Sequence, residues 1–179
     1  MFLLNDQLIR GYVQEGSRAY LGIEPFEEDC LQNTSYYFRL GSHCKESSKP
    51  GQPLKELGPQ GKILTIPAGG MAMIRSHETF LLSNKVMGIF GQVSDLTKCG
   101  LELMHSPFID PTFFGQLELG IVNRTSSEVA IEWQQKIGKI CFFDVSDTYP
   151  VFPPLKGKAL ASKFEERRPK RDDDPVHDR

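Results

Sequence analysis

The clearest alternation of apolar and polar side chains in this chain runs from Gln116 to Val122. Side chains on an extended strand point alternately to its two faces. One face then carries Leu117, Leu119 and Ile121. The other face carries Glu118 and Gly120, so the pattern predicts a half-exposed strand with one carboxylate on its polar side.

Other short apolar runs, separated by glycine, proline and polar residues, predict further strands. They are the segments 20–28, Tyr36–Leu40, Ile63–Ile66, Met71–Arg75, Phe80–Leu82, Met87–Phe90, Val129–Trp133 and Ile137–Val145. Glycines in the segment 67–70 predict a turn, and the polar segment 124–127 predicts a hairpin turn. The segment 42–62 is rich in Gly, Pro, Ser and Lys, which predicts a surface loop or a loose hairpin.

One clear helix is predicted, from Asn5 to Gly16. Asn5 is a good N-cap residue, and Gly16 is a good terminator. Between them, apolar side chains recur at helical spacing at Leu8, Ile9, Tyr12 and Val13. Helical periodicity is scarce elsewhere, so the chain is predicted to be rich in β-strands.

Length and charge limit the class of protein. A chain of 179 residues with a net charge of −2 suits one domain and indicates neither nucleic acid nor an acidic membrane surface as a partner. No run approaches the ~18 apolar residues of a membrane span. We expect one domain over residues 1–160, followed by a charged and disordered tail over residues 161–179.

The cysteines argue against a zinc site. The four cysteines are Cys30, Cys44, Cys99 and Cys141, and none forms a C-x-x-C pair. The H-x-E and P-C-x-x-C motifs of zinc-dependent deaminases are also absent from the sequence. Scattered cysteines without a signal peptide predict reduced thiols in the cytoplasm.

Two carboxylates near the alternating strand are candidates for chemistry. Asp110 precedes the strand, and Glu118 lies on its polar face. Carboxylates in such positions can transfer protons. An aspartate that caps a turn beside Pro111, and a glutamate on an exposed strand face, explain the same residues without any function. Both interpretations stay open at this point.

Several segments resemble the dCTP deaminase branch of the dUTPase superfamily, and their order and spacing agree. The resemblance rests on Ser94–Leu101 (SDLTKCGL), Ile109–Pro111 (IDP), Gly115 and Asn123, with support from residues 32–41, 64–82 and 134–143. It implies a mainly β fold, a distorted barrel or jelly roll of the dUTPase-like type with one N-terminal helix. It also implies a homotrimer with nucleotide sites between subunits.

The chain departs from the family at the catalytic position. In the deaminases a glutamate five residues after the glycine that matches Gly115 activates water, and here that residue is Gly120. Glu118 lies on the same strand face, but two residues along a strand span roughly 6.5 Å. Glu118 can therefore substitute only if a bulge shifts the register or the ligand binds differently. The family aspartate of the N-terminal motif is replaced by Tyr37.

The resemblance also implies nucleotide-binding residues. Ser94 matches a serine that contacts a phosphate, and Lys98 takes the place of an arginine, although a lysine lacks the bidentate fork. His105 falls near the segment that lines the base pocket. The position of Phe113 matches the ring that packs on the sugar. Lys156 and Lys158 stand where the C-terminal arm of the family closes over the nucleotide.

The related dUTPases hydrolyse the nucleotide with Mg²⁺ bound through the triphosphate and an aspartate that orients water. Asp110 matches that aspartate. The first hypothesis is therefore a dCTP deaminase-like enzyme for a pyrimidine deoxynucleoside triphosphate, acting by deamination through Glu118 or by hydrolysis through Asp110. The alternatives are a non-catalytic nucleotide-binding or regulatory trimer, and an enzyme for a modified nucleotide.

Overall fold

The computed structural model describes residues 1–14, 20–46, 55–56 and 63–146 of the chain. Its helical elements are α1 (Asp6–Gln14), a 3-10 turn (Glu28–Cys30) and the short helix α2 (Ser94–Lys98). The strands are β1 (Phe2–Leu3), β2 (Leu21–Glu24), β3 (Leu31–Gln32), β4 (Ser35–Glu46), β5 (Lys55–Glu56), β6 (Ile63–Ile66), β7 (Met71–Leu82), β8 (Val86–Gln92), β9 (Leu101–Met104), β10 (Phe108–Ile109), β11 (Phe114–Asn123), β12 (Val129–Glu132) and β13 (Lys136–Asp144).

Most strands belong to one curled antiparallel sheet. Its main path is β10-β8-β13-β4-β7-β11-β9, with β1 on β13, β2 on β7, and β3 and β5 on β4. Strands β12 and β6 form a separate two-stranded sheet. The prediction of a mainly β fold with one N-terminal helix is confirmed.

The core lies inside the curl of the sheet. Along β7, buried and half-buried residues alternate from Met71 to Phe80, as expected for a strand with one face on the core. Its largest fully buried side chains include Tyr36, Phe38, Phe80 and Phe142. These rings come from three strands of the sheet, so the core holds the curl closed.

The predicted helix is confirmed over Asp6–Gln14, and its predicted end at Gly16 lies outside the described residues. The Asn5 side chain accepts a hydrogen bond from the Leu8 N–H at 3.0 Å, which caps α1 as the sequence predicts. Ile9 and Val13 are buried on its inner face. Arg10 donates to Glu28 at 3.1 Å, which ties the helix to the 3-10 turn.

The hairpin predicted at residues 124–127 is wrong, because β12 pairs with β6 and not with β11. The buried amide of Asn123 explains this path. Its Nδ2 donates to the carbonyls of Ile66 at 2.9 Å, Pro67 at 3.1 Å and Ser127 at 2.8 Å. One side chain thereby joins the end of β11 to two turns.

The region 42–62 agrees with the hairpin alternative where the structure describes it. β4 continues to Glu46, and β5 pairs with it antiparallel, with His43 opposite Glu56.

Across the described parts of the chain, no helix has the length and apolar character that a membrane crossing requires.

Candidate functional site

Two clefts open near the end of β8. The lysine cleft has a volume of about 450 Å³ and is lined by Tyr37, Gln92, Val93, Ser94, Asp95, Lys136 and Lys139. The aromatic cleft has a volume of about 390 Å³ and is lined by Phe90, His105, Ser106, Phe108, Phe113, Gln116, Leu117, Glu118 and Leu119. Phe90 and Gln92 are two positions apart on β8, which corresponds to roughly 7 Å along a strand.

A bulge in β13 brings two lysines to the lysine cleft. Lys136 pairs with Arg39 and Gly138 with Phe38, so β13 has one more residue than β4 in this interval. Lys136 and Lys139 would point to opposite faces of a regular strand, and the extra residue turns both toward one cleft. Gly138 is required here, because a Cβ at this position would lie 2.1 Å from the Phe38 ring.

The two lysines have different surroundings. Lys136 Nζ donates to the Asp29 carbonyl at 2.8 Å and lies 4.9 Å from the centre of the Tyr37 ring. The Lys139 side chain is exposed and makes no hydrogen bond or ion pair with any residue that the structure describes. Lys139 is therefore the cation in this cleft with the greater freedom to meet an anionic ligand.

Ser94 lies in the lysine cleft, whereas Lys98 does not line it. Ser94 is exposed and begins α2. One turn later, Lys98 Nζ lies 2.9 Å from Asp95 Oδ1, with both side chains about three-quarters exposed. The hydrogen bond that Lys98 donates to Asp95 raises the pKa of Lys98, and Lys98 balances part of the Asp95 charge at the cleft.

The aromatic cleft brings together three residues predicted from the sequence: His105, Phe113 and Glu118. The His105 ring stacks on Phe90 with 4.2 Å between ring centres and 23° between planes. Its Nδ1 is buried and has no hydrogen-bond partner among the described residues. Phe113 is half-buried, so the cleft offers the flat surfaces of aromatic rings.

Glu118 is held by an arginine from the neighbouring strand. Arg75 donates to Glu118 Oε1 from Nε at 2.9 Å and from Nη2 at 2.5 Å. The Glu118 side chain is 56% exposed. Oε2 has no hydrogen-bond partner within the described part of the chain, so this oxygen can contact water or a ligand.

The register does change near Glu118, but the extra residues belong to β7. Gln116 pairs with Thr79 and Glu118 with Arg75, so three residues of β7 lie opposite one residue of β11. Beyond this point Gly120 pairs with Met73 in regular register. The irregularity therefore does not move Glu118 along β11 into the position of Gly120.

Methionines occupy the surroundings of Gly120. A Cβ built at this position would lie 2.9 Å from Met71 Cε and 3.2 Å from Met104 Cβ. A longer side chain at residue 120 would fit only after the Met71 side chain moved. The place that the family gives to a carboxylate is apolar in this chain.

Asp110 lines neither cleft. Its side chain is exposed, and its carbonyl accepts a hydrogen bond from the Phe113 N–H at 3.2 Å in a tight turn. Thr112 in this turn has a positive φ of 70°, which is unusual for a residue with a Cβ. Lys156 and Lys158 lie outside the described residues.

Sequence reasoning missed several lining or supporting residues, among them Arg75, Phe90, Gln92 and Lys136. Strand alternation alone places Lys136 and Lys139 on opposite faces. The sequence pattern therefore does not predict that a bulge brings both lysines to one cleft. In the sequence, Tyr37 stands out only as a departure from the family pattern. No group of three or more metal-ligating side chains occurs among the described residues.

Comparison with known proteins gives a consistent picture. The family model for dCTP deaminase-like proteins matches residues 3–145. A dUMP-forming dCTP deaminase of Corynebacterium diphtheriae is 29% identical over 93% of this chain and 93% of its own length. The corresponding protein of Beutenbergia cavernae is 30% identical over 93% of this chain and 91% of its own length.

A solved structure shows the same fold. The crystal structure of 2'-deoxycytidine 5'-triphosphate deaminase from Agrobacterium tumefaciens superposes with a TM-score of 0.64 at 18% identity. The match covers 93% of this chain and 53% of that chain. At this identity the likeness concerns the fold, and it agrees with the β-rich curl described above.

Proposed function

Since this chain belongs to the dCTP deaminase-like family, we propose that it is an enzyme that processes a pyrimidine deoxynucleoside triphosphate. The observation that carries the proposal is the lysine cleft, where Ser94, Lys136 and Lys139 meet. A hydroxyl and two cations suit phosphate oxygens, since charge-assisted hydrogen bonds are the strong ones. Any Mg²⁺ would enter with the triphosphate, because the described residues offer no metal-binding cluster.

The aromatic cleft suits the nucleoside part of the ligand. A pyrimidine or sugar ring can pack on Phe113 and on the stacked pair of His105 and Phe90. Glu118 is the carboxylate of this cleft. In the proposed reaction the nucleotide binds with its base beside Glu118, differently from the family arrangement. Glu118 takes a proton from water as the water oxygen attacks C4 of cytosine, and it passes that proton to N3. The hydroxyl proton of the adduct then moves through Glu118 to the amino group, the bond from C4 to this nitrogen breaks, and ammonia leaves with the uracil base as product.

The first experiment incubates the purified protein with dCTP and with dUTP, with and without Mg²⁺, and separates the products by chromatography. Uracil nucleotide formed from dCTP supports deamination, and Glu118→Gln should then lower kcat by about 10²–10⁴-fold. A monophosphate formed from dUTP would instead support hydrolysis, with Asp110→Asn as the decisive variant. Absence of both products would overturn the enzymatic proposal.

The phosphate role of the lysine cleft has a separate test. Lys139→Gln should weaken binding of dCTP about 10- to 100-fold, because a charge-assisted hydrogen bond contributes about 1.5–3 kcal/mol. Deoxycytidine without phosphates should bind equally well to both proteins. Lys98→Gln is the matched control, since Lys98 is paired with Asp95 and does not itself line this cleft. An equal effect of the two variants on dCTP would contradict the assignment and favour the phosphate role predicted for Lys98.

A non-catalytic nucleotide-binding protein is the second candidate, and the surroundings of Gly120 favour it. Met71 and Met104 pack where a catalytic side chain would extend. Under this alternative dCTP binds without turnover, and Gly120→Glu combined with Met71→Ala should introduce deamination. Calorimetric binding of dCTP without product formation would select this candidate over the first.

We propose that the functional unit is a homotrimer, in line with the resemblance of the sequence. Both clefts are open to solvent, and a neighbouring subunit would close them. Light scattering after size exclusion tests this directly, since a trimer has three times the 20.2 kDa mass of the chain. A monomeric protein with full nucleotide affinity would overturn it.

A further inference from the structure

The side chain of Gln92 joins two strands that are not neighbours in the described sheet. β9 is the last strand of the main path, and β8 is the second strand from its other end. Gln92 Oε1 accepts a hydrogen bond from the Leu103 N–H at 2.9 Å, and Nε2 donates to the Leu101 carbonyl at 3.3 Å. One side-chain amide thereby satisfies two backbone groups on the edge of β9, where a neighbouring strand would otherwise bind.

The same amide also contacts the short helix α2. Nε2 donates a second hydrogen bond to the hydroxyl of Thr97, which lies on α2. Both hydrogens and the oxygen of the amide are then in use. Gln92 is half-buried and lines the lysine cleft, so these three contacts fix one orientation of its side chain at the wall of that cleft.

Each segment that Gln92 contacts leads to a residue of one cleft. α2 begins with Ser94, which lines the lysine cleft. β9 ends at Met104, and the next residue, His105, lines the aromatic cleft and stacks on Phe90. Phe90 lies two positions before Gln92 on β8, so both side chains point to the same face of that strand. Gln92 therefore lies between the groups suited to phosphate and the groups suited to a ring.

We propose that Gln92 is a positioning residue that sets the distance between the two clefts, so that one nucleotide engages both. The inference rests on the function proposed above and adds a requirement on the length of the ligand. A ligand that joins a ring to a phosphate chain gains from two binding places only when their separation matches its own. Gln92 acts through Ser94 and His105, whose segments its amide contacts hold in place.

The test compares three ligands of the full chain: dCTP, tripolyphosphate and deoxycytidine. The parent protein carries Glu118→Gln, so that dCTP is bound but not deaminated, and affinities are measured by NMR titration. Gln92→Met in this parent keeps the length of the side chain and removes its three hydrogen bonds. Affinity for dCTP should fall about tenfold, while the affinities for tripolyphosphate and for deoxycytidine should each change by less than about twofold.

Two further measurements show which contact is responsible. In Gln92→Met the Leu103 N–H loses its acceptor, so its hydrogen exchange should become faster. Thr97→Val removes only the contact with α2 and leaves both contacts with β9. It should weaken dCTP about threefold, the effect of losing one neutral hydrogen bond.

Gln32→Met is the matched control. The Gln32 amide also donates to a backbone carbonyl, that of Leu31 at 2.9 Å, and Gln32 lines neither cleft. This variant should leave all three affinities unchanged.

The possible outcomes separate this inference from the proposed function. Equal affinity for dCTP in the parent and Gln92→Met proteins, with faster exchange at Leu103, would overturn the inference alone. A loss of affinity for either fragment as large as the loss for dCTP would also overturn it, because Gln92 would then act on one cleft only. A parent that binds none of the three ligands would overturn the proposed function and the inference together. If Gln92→Met does not fold, unchanged dCTP affinity in Thr97→Val overturns the inference.

Discussion

Two arginine–carboxylate pairs involve β7, and they differ mainly in burial. Glu78 on β7 pairs with Arg39 on β4 at 2.6 Å, and these side chains are 0% and 11% exposed. Arg75 on β7 pairs with Glu118 on β11, and these are 37% and 56% exposed. An arginine–carboxylate pair therefore has a structural role where it is buried, and it leaves a carboxylate accessible to a substrate where it is exposed to water.

The buried pair also makes hydrogen bonds with the backbone. Glu78 accepts the Arg39 N–H at 2.9 Å as well as the guanidinium, and the Ser76 hydroxyl donates to the Glu78 carbonyl at 2.6 Å. Burial raises the pKa of Glu78, and the hydrogen bonds and charge of Arg39 oppose that rise. The pair orders the irregular part of β7 opposite Leu117.

In the exposed pair, the Glu118 carboxylate stays accessible for a reaction. Water screens Arg75 and Glu118, so their attraction contributes little to folding. Glu118 Oε1 is held while the side chain still lines the aromatic cleft. The comparison indicates that a carboxylate can serve in a reaction when its partner orients it at a surface that the substrate can reach.

The largest expected effect comes from breaking the buried pair. Glu78→Gln leaves the buried Arg39 guanidinium with only the exposed Glu27 carboxylate, 4.0 Å away, as a counter-charge, which should lower the free energy of unfolding by about 3–5 kcal/mol. Urea unfolding followed by circular dichroism measures the loss. The double variant Arg39→Met with Glu78→Gln should recover part of it, because the uncompensated charge is gone while an acceptor for the residue 39 N–H remains. A double variant as unstable as the sum of both single variants would contradict this account.

A smaller effect is expected on how the stability of the protein depends on pH, through His77. Burial lowers the pKa of His77, and the nearby Arg39 charge lowers it further, while Glu27 opposes this. In the unfolded chain the imidazole binds a proton near pH 6.5, so the unfolded state takes up more protons as pH falls. Stability linked to His77 is therefore present above pH ~6.5 and is lost as pH falls through the lower pKa of the folded state.

His77→Gln tests this by difference. Between pH 7.5 and pH 5.5 the Tm of the parent protein should fall by roughly 2–4 °C more than the Tm of the variant, which corresponds to about 1 kcal/mol. The control variant is His43→Gln, because His43 is also half-buried and also lies on a strand, β4. Parallel Tm curves for parent and His77→Gln proteins would show that His77 does not titrate with folding.

The smallest expected effect is at the exposed pair. Arg75→Met should change the free energy of unfolding by about 0–1 kcal/mol, and added salt should reduce even that difference. The same urea titration measures it alongside Glu78→Gln. A loss as large as that of the buried pair would remove the distinction between the two pairs on β7.

Local features of this protein are readable in its sequence. The cap at Asn5, the inward residues Leu117, Leu119 and Ile121, and the motif around Ile109–Pro111 depend on neighbours in the chain. Strand periodicity and capping act over a few residues, so their outcome needs no tertiary contact. For this reason the fold class and the family were predicted correctly from the sequence.

The arrangement of the candidate site depends on strand pairing between distant parts of the chain. The β13 bulge that unites Lys136 and Lys139 exists only against β4, and Arg75 meets Glu118 only because β7 and β11 pair. Whether an arginine–carboxylate pair is buried, and what packs against Gly120, follows from side chains far away in sequence. The sequence by itself determined the strands and the family, while the tertiary structure decided their partners, since register and burial are long-range properties.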